Sequence, residues 1–258
     1  MGGLASAEEL VYGPVRSRRL GLSLGINILP ANGKTCNFDC PYCQYGWTRV
    51  SPDGAKRWPT PEKIGSALSE RLREAKLSRT RVERLTLAGR GEPTLHPQFP
   101  EIVNRLRAVR DRESPGTRLA ILSNSSTADN PATRAALLAL DERYMKLDAG
   151  DPITLRHVND SPISCTRIVE ALRTLPDIVI QTMFVSDPAG RMDNCGDIAV
   201  IPWTRAVARI APRKVHLITI DQTPASSLIG PVSDVRLLEI ANRVRQRGVA
   251  ARAFLSDA

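Results

Sequence analysis

Short apolar segments alternate with longer amphipathic segments along most of this chain, and that alternation restricts the folds open to it. It predicts parallel strands joined by right-handed helical crossovers, an α/β class. The predicted strands are 24–29, 84–88, 118–122, 143–147, 178–184 and 214–218. The predicted helices are 61–76, 98–111, 131–140, 163–173, 197–209 and 233–247.

Helix-start and helix-stop residues support these assignments. Thr60 and Asn130 each stand directly before a proline, which suits a cap followed by the first helical residue. Ser233 precedes the last predicted helix and Gly248 follows it, as expected of a left-handed stop.

The number of strand–helix units sets the expected architecture. A closed barrel of eight units usually needs about 250 residues or more. This chain has 258 residues and spends its first part on a leader and a cysteine-rich loop. We therefore expect a partial TIM-type barrel of six units with the cysteine loop after the first strand. The expected division is an N-terminal leader, 1–23, and a single barrel domain, 24–258.

Composition and charge indicate the expected cellular compartment and the possible classes of partner. No apolar run is long enough to span a bilayer, and the N-terminus lacks a secretory pattern, so we expect no membrane association. Five cysteines, three of them close together, suit a metal site in a reducing cytoplasm better than disulfides. The net charge of +9 makes a nucleic acid a candidate partner, although the basic residues are scattered along the chain.

The segment from Cys36 to Cys43 carries the most specific chemical signal. Cys36, Cys40 and Cys43 are spaced Cys-x3-Cys-x2-Cys. Thiolates are soft ligands that suit iron–sulfur clusters and zinc. Three cysteines would bind three irons of a cubane and leave the fourth iron open to an outside ligand. A structural zinc ion would need a fourth ligand, and His96, the first histidine, lies more than fifty residues away. The spacing favours the open cluster, with zinc as its main rival.

The same spacing, with Tyr42 before the third cysteine, resembles the signature of the radical SAM superfamily. Further segments resemble a branch of uncharacterised iron–sulfur oxidoreductases related to the enzymes of wybutosine (tRNA) biosynthesis. These segments are 12–25, 91–97, 123–124, 146–150 and 218–221.

The resemblance implies two cofactors and one reaction. A 4Fe-4S cluster binds S-adenosylmethionine (SAM) at its open iron and cleaves it by one-electron reduction to methionine and a 5′-deoxyadenosyl radical. That radical removes hydrogen from a substrate. The implied electron donor is a reductant of the flavodoxin or ferredoxin type.

The resemblance also implies which residues contact SAM. Gly89, Gly91 and Glu92 resemble the glycine–glutamate motif of the family, in which the carboxylate meets the SAM ammonium group. Arg90 departs from the usual small residue at its position and is a candidate for holding a carboxylate. Tyr42 is expected to offer backbone contacts to the adenine.

Other candidates follow the ends of predicted strands. Ser123 and Asn124 suit ribose hydroxyls, or alternatively a local turn. Lys146 and Asp148 share one face of their strand and are the candidate catalytic pair, either bound to substrate or joined in a structural ion pair. Gln181 is a candidate contact to adenine or substrate. The remaining candidates carry a structural alternative: Met183, His157 in a loop, His216, Asp221, and the separate cysteines Cys165 and Cys195.

Three functions are compatible with these features of the sequence. The first is a radical SAM enzyme acting on a small molecule or biosynthetic intermediate, which we favour. The second is the same chemistry on tRNA, supported by the positive charge and the wybutosine-like branch. The third is a zinc-dependent nucleic-acid-binding protein.

Overall fold

A computed structural model describes residues 9–48 and 57–255. The first eight residues of the predicted leader lie outside these ranges. The chain divides into two units. The first comprises Met1–Cys36, Arg49–Ser123 and Asn130–Arg143, and the second comprises Asn37–Thr48, Asn124–Asp129 and Tyr144–Ala258.

Four strands lie wholly within the first unit and pair in one sheet. Strand β1 (Val11–Ser17) pairs antiparallel with β2 (Gly21–Ile26). Strands β3 (Arg84–Leu87) and β4 (Arg118–Ser123) continue the sheet in parallel. The register places buried leucines side by side, because Leu24 pairs with Leu85 and Leu85 with Leu119.

Three α-helices cover this sheet. They are α1 (Pro61–Leu77), α2 (Phe99–Glu113) and α3 (Pro131–Leu138), and a short 3-10 helix (Pro93–Leu95) precedes α2. The buried residues of α1 recur at helical spacing, as in Ile64, Leu68 and Leu72. As predicted, Thr60 and Asn130 are caps, and their side chains accept hydrogen bonds from the backbone N–H groups of Lys63 and Thr133.

Strand β5 (Glu142–Lys146) is divided between the units, and the second unit continues from it. Two helices follow, α4 (Pro152–Asn159) and α5 (Cys165–Arg173). Strand β6 (Ile178–Ser186) then leads into α6 (Asp197–Ile210). Trp203 of α6 packs edge-on against Phe184 of β6, with ring centroids 5.0 Å apart, so this helix buries a large aromatic pair.

The rest of the second unit completes its sheet. Strand β7 (Lys214–Thr219) pairs in parallel with β6, and β8 (Gly230–Pro231) pairs antiparallel with the end of β6. Helix α7 (Asp234–Arg245) returns the chain to β9 (Ala251–Ala253), which is parallel to β7. Gly248 between them has φ of +79°, as predicted for a left-handed stop.

The structure corrects several local predictions. The first parallel strand begins at Gly21, so the predicted leader boundary after residue 23 falls inside β2. The leader also contributes β1, which pairs with β2. His157 lies in α4 and not in a loop. Helix α4 has the same start signal as α1 and α3, because Asp151 caps it immediately before Pro152.

Within residues 9–48 and 57–255, the structure contains no helix both long and apolar enough to cross a membrane.

A buried carboxylate joins two strands of the first unit and provides a test of its stability. Glu142 is buried, and its carboxylate accepts hydrogen bonds from two arginines. Arg84 Nε donates at 2.7 Å, and a terminal nitrogen of Arg118 donates at 3.1 Å. We expect Glu142→Gln to lower the free energy of unfolding by about 2–3 kcal/mol, because Arg84 would lose its charged partner in a largely buried site. Chemical denaturation measures this change.

The matched control is Glu170→Gln, whose arginine partners Arg173 and Arg209 are exposed. It should cost less than about 1 kcal/mol. Equal losses in the two variants would contradict a special role for the buried pair.

Candidate functional site

The cysteine loop of the second unit is held by backbone hydrogen bonds. Cys43 N–H donates to the Cys40 carbonyl at 3.0 Å, which folds the second half of the motif into a turn. Asp39 N–H donates to the carbonyl of Asn159 at 2.9 Å, and Ser226 N–H donates to the carbonyl of Pro41 at 2.9 Å. The loop is therefore tied to the end of α4 and to the segment before β8.

The three cysteines of the motif form no disulfide. Cys40 is buried, whereas Cys36 and Cys43 are partly exposed. Cys36 belongs to the first unit, and Cys40 and Cys43 belong to the second. Across the described ranges, no three or more His, Cys, Asp or Glu side chains are grouped as the ligands of one metal ion would be.

A polar network surrounds Cys40 and Tyr42 in the second unit. The Tyr42 hydroxyl donates to Asp148 Oδ2 and accepts from Lys146 Nζ at 2.8 Å. Lys146 Nζ lies 3.8 Å from Asp148 Oδ2, so the two predicted catalytic residues form an ion pair. Asn159 Nδ2 lies 2.8 Å from Asp148 Oδ2, 2.9 Å from the Tyr42 hydroxyl and 3.2 Å from Cys40 Sγ.

The burial of this network fixes the protonation of its tyrosine. Burial raises the pKa of the Tyr42 phenol well above its ordinary value, and the nearby Asp148 carboxylate raises it further. Tyr42 therefore remains a donor to Asp148 at neutral pH. The Lys146 ammonium also lies 4.8 Å from the centre of the Tyr42 ring, a favourable cation–π position.

Asp148 also fixes the neighbouring strand. Its Oδ1 accepts the Met183 N–H of β6 at 2.9 Å. Its backbone carbonyl accepts from the buried amide of Asn194 at 2.9 Å, and the same amide reaches the Met183 carbonyl. The completely buried Asp148 side chain thus joins the cysteine loop, the end of β5 and β6 within one unit.

The glycine–glutamate segment of the first unit is built around Thr35. Thr35 N–H donates to the Arg90 carbonyl at 2.8 Å, and Glu92 N–H donates to the Thr35 carbonyl at 2.9 Å. The Glu92 side chain is buried, and its Oε1 accepts three hydrogen bonds. Thr94 donates two of them, from its backbone N–H at 3.0 Å and from its hydroxyl at 2.6 Å, and the Ser123 hydroxyl donates the third at 2.9 Å. These three donors fix the orientation of the carboxylate.

Both predicted glycines are required by close approach within their own unit. Gly91 has φ of +144°, and a Cβ there would lie 1.8 Å from the Thr35 carbonyl oxygen. A Cβ on Gly89 would lie 2.3 Å from the Asn27 side-chain oxygen, which also receives Arg90 N–H at 3.4 Å. The chain itself therefore explains these glycines, and their contact with SAM stays a prediction.

Ser123 and Asn124 have different partners at the end of β4. Ser123 bonds Glu92 as described, whereas the Asn124 side chain accepts from Ser126 N–H at 3.0 Å, which is the local turn that the sequence allowed. Asn124 Nδ2 also donates to Asn37 Oδ1 of the cysteine loop at 2.8 Å. Their proposed contacts to ribose stay predictions.

Two further candidates, His216 and Gln181, differ in their surroundings. The contacts of His216 are structural, whereas the side chain of Gln181 has no assigned role within the protein. His216 is buried between the rings of Tyr144 and Phe254, at centroid distances of 5.8 and 4.9 Å. Gln181 pairs in register with His216, and its side-chain nitrogen is buried with no hydrogen-bond partner among the described residues. Gln181 therefore stays a candidate ligand contact.

Cys165 and Cys195 each have a partner outside the motif, since Cys165 Sγ donates to the Ala149 carbonyl at 3.7 Å and Cys195 Sγ donates to Asp193 Oδ2 at 3.4 Å. Burial raises the pKa of the Cys165 thiol to about 11 and that of the Cys195 thiol to about 12. Burial therefore favours the neutral thiol form of both residues. Cys165 is buried as expected for a small apolar residue, and Cys195 is partly exposed beside Asp193.

Sequence reasoning missed two residues of the Asp148 network, Asn159 and Asn194, which are both buried. The start signal at Asp151 and Pro152 predicts α4, and α4 would have placed Asn159 at a helix end. We find no comparable local signal for Asn194.

Comparison with known families decides the classification. The family model described as the Radical SAM superfamily matches residues 33–186, which include the cysteine motif, Glu92 and the Lys146–Asp148 pair. The chain belongs to the Radical SAM superfamily. It is 30% identical over 229 residues to the UPF0026 protein MJ1312 of Methanocaldococcus jannaschii, covering 86% of this chain and 67% of that protein. The superfamily match and this relative support the predicted uncharacterised branch.

Solved structures share the fold. A radical SAM methyltransferase from Sphaerobacter thermophilus has a TM-score of 0.66 at 16% identity, covering 95% of this chain and 69% of that chain. A structure of TYW1 with a lysine–pyruvate adduct bound has a TM-score of 0.62 at 16% identity. The match covers 92% of this chain and 76% of the TYW1 chain. These matches confirm the predicted α/β fold with parallel strands and agree with a partial barrel. This Radical SAM chain is an enzyme.

The close approach at Gly91 yields a test of the glutamate segment. We expect Gly91→Ala to lower the free energy of unfolding by about 2 kcal/mol or more, because the new Cβ would displace the Thr35 carbonyl and strain a positive φ. Gly116→Ala is the control, since its Cβ would meet nothing within 4 Å, and it should change stability by less than about 0.5 kcal/mol. Denaturant titration of both variants measures these changes. An unchanged free energy of unfolding in Gly91→Ala would refute the packing argument.

Proposed function

We propose that this Radical SAM enzyme holds a 4Fe-4S cluster on Cys36, Cys40 and Cys43 and uses it to cleave SAM reductively. When bound, the cluster would supply one electron that breaks the sulfonium carbon–sulfur bond of SAM, which gives methionine and a 5′-deoxyadenosyl radical. That radical would remove a hydrogen atom from the substrate. A flavodoxin or ferredoxin would supply the electron.

The chemistry of the donor set supports the cluster. Cys36, Cys40 and Cys43 are soft ligands at the superfamily spacing, and three of them leave one iron of a cubane without a protein ligand. The surroundings of Cys40 suit a thiolate, because Asn159 Nδ2 lies 3.2 Å and Lys146 Nζ 3.9 Å from its sulfur. This arrangement of donors around Cys40 is the observation that carries the proposal.

Glu92 is the proposed partner of the SAM ammonium group. A buried carboxylate held by three donors is oriented before any ligand arrives. Gly89 and Gly91 keep the backbone of this segment free of side chains, and Ser123 holds Glu92. Tyr42, Asn124 and Gln181 are the further proposed contacts to SAM.

Lys146 and Asp148 are the proposed catalytic pair that faces the substrate. Their ion pair neutralises two charges at the carboxyl end of β5, which limits the cost of burying Asp148. Lys146 retains some exposure and so is the member able to meet a bound molecule. We favour a small molecule over tRNA as substrate, and the net charge of +9 keeps tRNA as the alternative. Binding of tRNA that weakens steeply with salt would support that alternative.

Removal of the three motif cysteines tests the cluster. Anaerobically purified protein should be brown, with about four irons and four sulfides per chain, and should form 5′-deoxyadenosine from SAM when reduced. The Cys36→Ala, Cys40→Ala and Cys43→Ala triple variant should lose the iron and the product, because the motif then offers no thiolate ligand. The matched control, Cys165→Ala with Cys195→Ala, should keep both. A colourless wild-type protein with one zinc, or product formed by the triple variant, would refute the proposal.

Neutralisation of Glu92 tests the SAM contact separately. We expect Glu92→Gln to keep the cluster but to weaken SAM binding about tenfold, or roughly 1.4 kcal/mol, because an amide lacks the charge that attracts the ammonium group. The amide oxygen can still accept from Thr94 and Ser123, so the fold should persist. Calorimetry on the reconstituted proteins measures binding. Glu101→Gln on the exposed face of α2 is the control, and equal affinity in all three proteins would exclude this role.

A further inference from the structure

We infer that Asn159 is a positioning residue whose amide donates a hydrogen bond to the Cys40 sulfur and thereby raises the reduction potential of the cluster. This inference rests on the proposed function, because it needs the cluster bound to Cys40. It adds a residue that lies outside the cysteine motif and outside the glycine–glutamate segment.

The position of Asn159 makes it a fixed donor. It is the last residue of α4 and is completely buried, and Asp160 after it ends the helix with a left-handed φ of +41°. Its backbone carbonyl accepts the Asp39 N–H at 2.9 Å, which holds the cysteine loop against it. The side chain and the loop are therefore joined at two points within one unit.

The neighbours of Asn159 determine which way its amide points. Asp148 Oδ2 lies 2.8 Å from Nδ2, and a carboxylate can only accept, so the NH2 group has to face it. The same nitrogen lies 3.2 Å from Cys40 Sγ. The Tyr42 hydroxyl lies 2.9 Å from the same nitrogen and has a second lone pair besides the one that accepts from Lys146. One amide proton therefore faces Asp148, and the other is shared between the Tyr42 hydroxyl and Cys40 Sγ.

A donor at this place acts on the redox equilibrium. Reduction adds an electron to the cluster and makes its sulfur ligands more negative. A hydrogen bond to a sulfur ligand therefore stabilises the reduced form more than the oxidised form, and the potential rises. Lys146 Nζ acts in the same direction but lies at 3.9 Å, near the limit of a bond to sulfur.

The experiment replaces the donor with a side chain of similar size. In reconstituted Asn159→Leu, the ratio of reduced to oxidised cluster at a fixed ambient potential should fall about tenfold, which equals 59 mV for a one-electron couple. Tyr42 and Asp148 also lose this donor but keep Lys146 and each other as partners. Cys40 Sγ loses its 3.2 Å donor and keeps the Lys146 Nζ contact at 3.9 Å. Electron paramagnetic resonance during a redox titration measures the ratio. Asn242→Leu on the exposed face of α7 is the control and should match the wild type.

A second measurement detects the contact directly. Wild-type protein labelled with 15N only at asparagine should show a weak 15N coupling to the reduced cluster in pulsed electron paramagnetic resonance. That coupling should be missing from Asn159→Leu labelled in the same way, in which Asn37 next to Cys36 still carries the label. Absence of that coupling from the wild-type protein, or an unchanged potential in Asn159→Leu with a full complement of iron, would overturn the inference alone. A wild-type protein that takes up no cluster would overturn the proposed function and this inference with it.

Discussion

The buried carboxylate of Asp148 is the interaction on which the second unit depends. A charge with no access to water has to be matched by donors, and Asp148 has Lys146, Tyr42, Asn159 and the Met183 N–H. Each of these donors comes from a different segment, so satisfying one carboxylate orders the cysteine loop, β5, β6 and the end of α4. Two of these donors, Lys146 and Asn159, also lie beside Cys40 Sγ, so structural and chemical requirements coincide there.

The glycine–glutamate segment of the first unit depends on close contact between backbone segments. Thr35 exchanges hydrogen bonds with Arg90 and Glu92, and Gly91 allows this because it has no side chain. The result is a rigid segment that presents the Glu92 carboxylate with Ser123 and Thr94 behind it. A binding group held in this way loses little conformational entropy when a ligand arrives.

The alternating pattern predicted the strands and helices well because each segment carries its own period and its own caps. The predictions failed where a segment has little local signal. Strand β1 is half exposed and depends on pairing with β2, and β9 is only three residues long. Helix α4 is a different case, because Asp151 and Pro152 mark its start as clearly as the caps of α1 and α3 mark theirs. Short elements are stabilised by their neighbours, so their sequences need not encode them strongly.

The sequence by itself determined the α/β class, the cysteine spacing and the superfamily, because these depend on residue type and separation along the chain. Only the tertiary structure decided which side chains are in contact. It shows that Lys146 neutralises Asp148 and that Asn159 lies within hydrogen-bond distance of Cys40. It also shows that the Thr35 carbonyl leaves room only for a glycine at position 91. Asn159 and Cys40 are 119 positions apart. No local pattern encodes a contact over that separation, because it arises only when β5 and α4 have folded around a common buried charge.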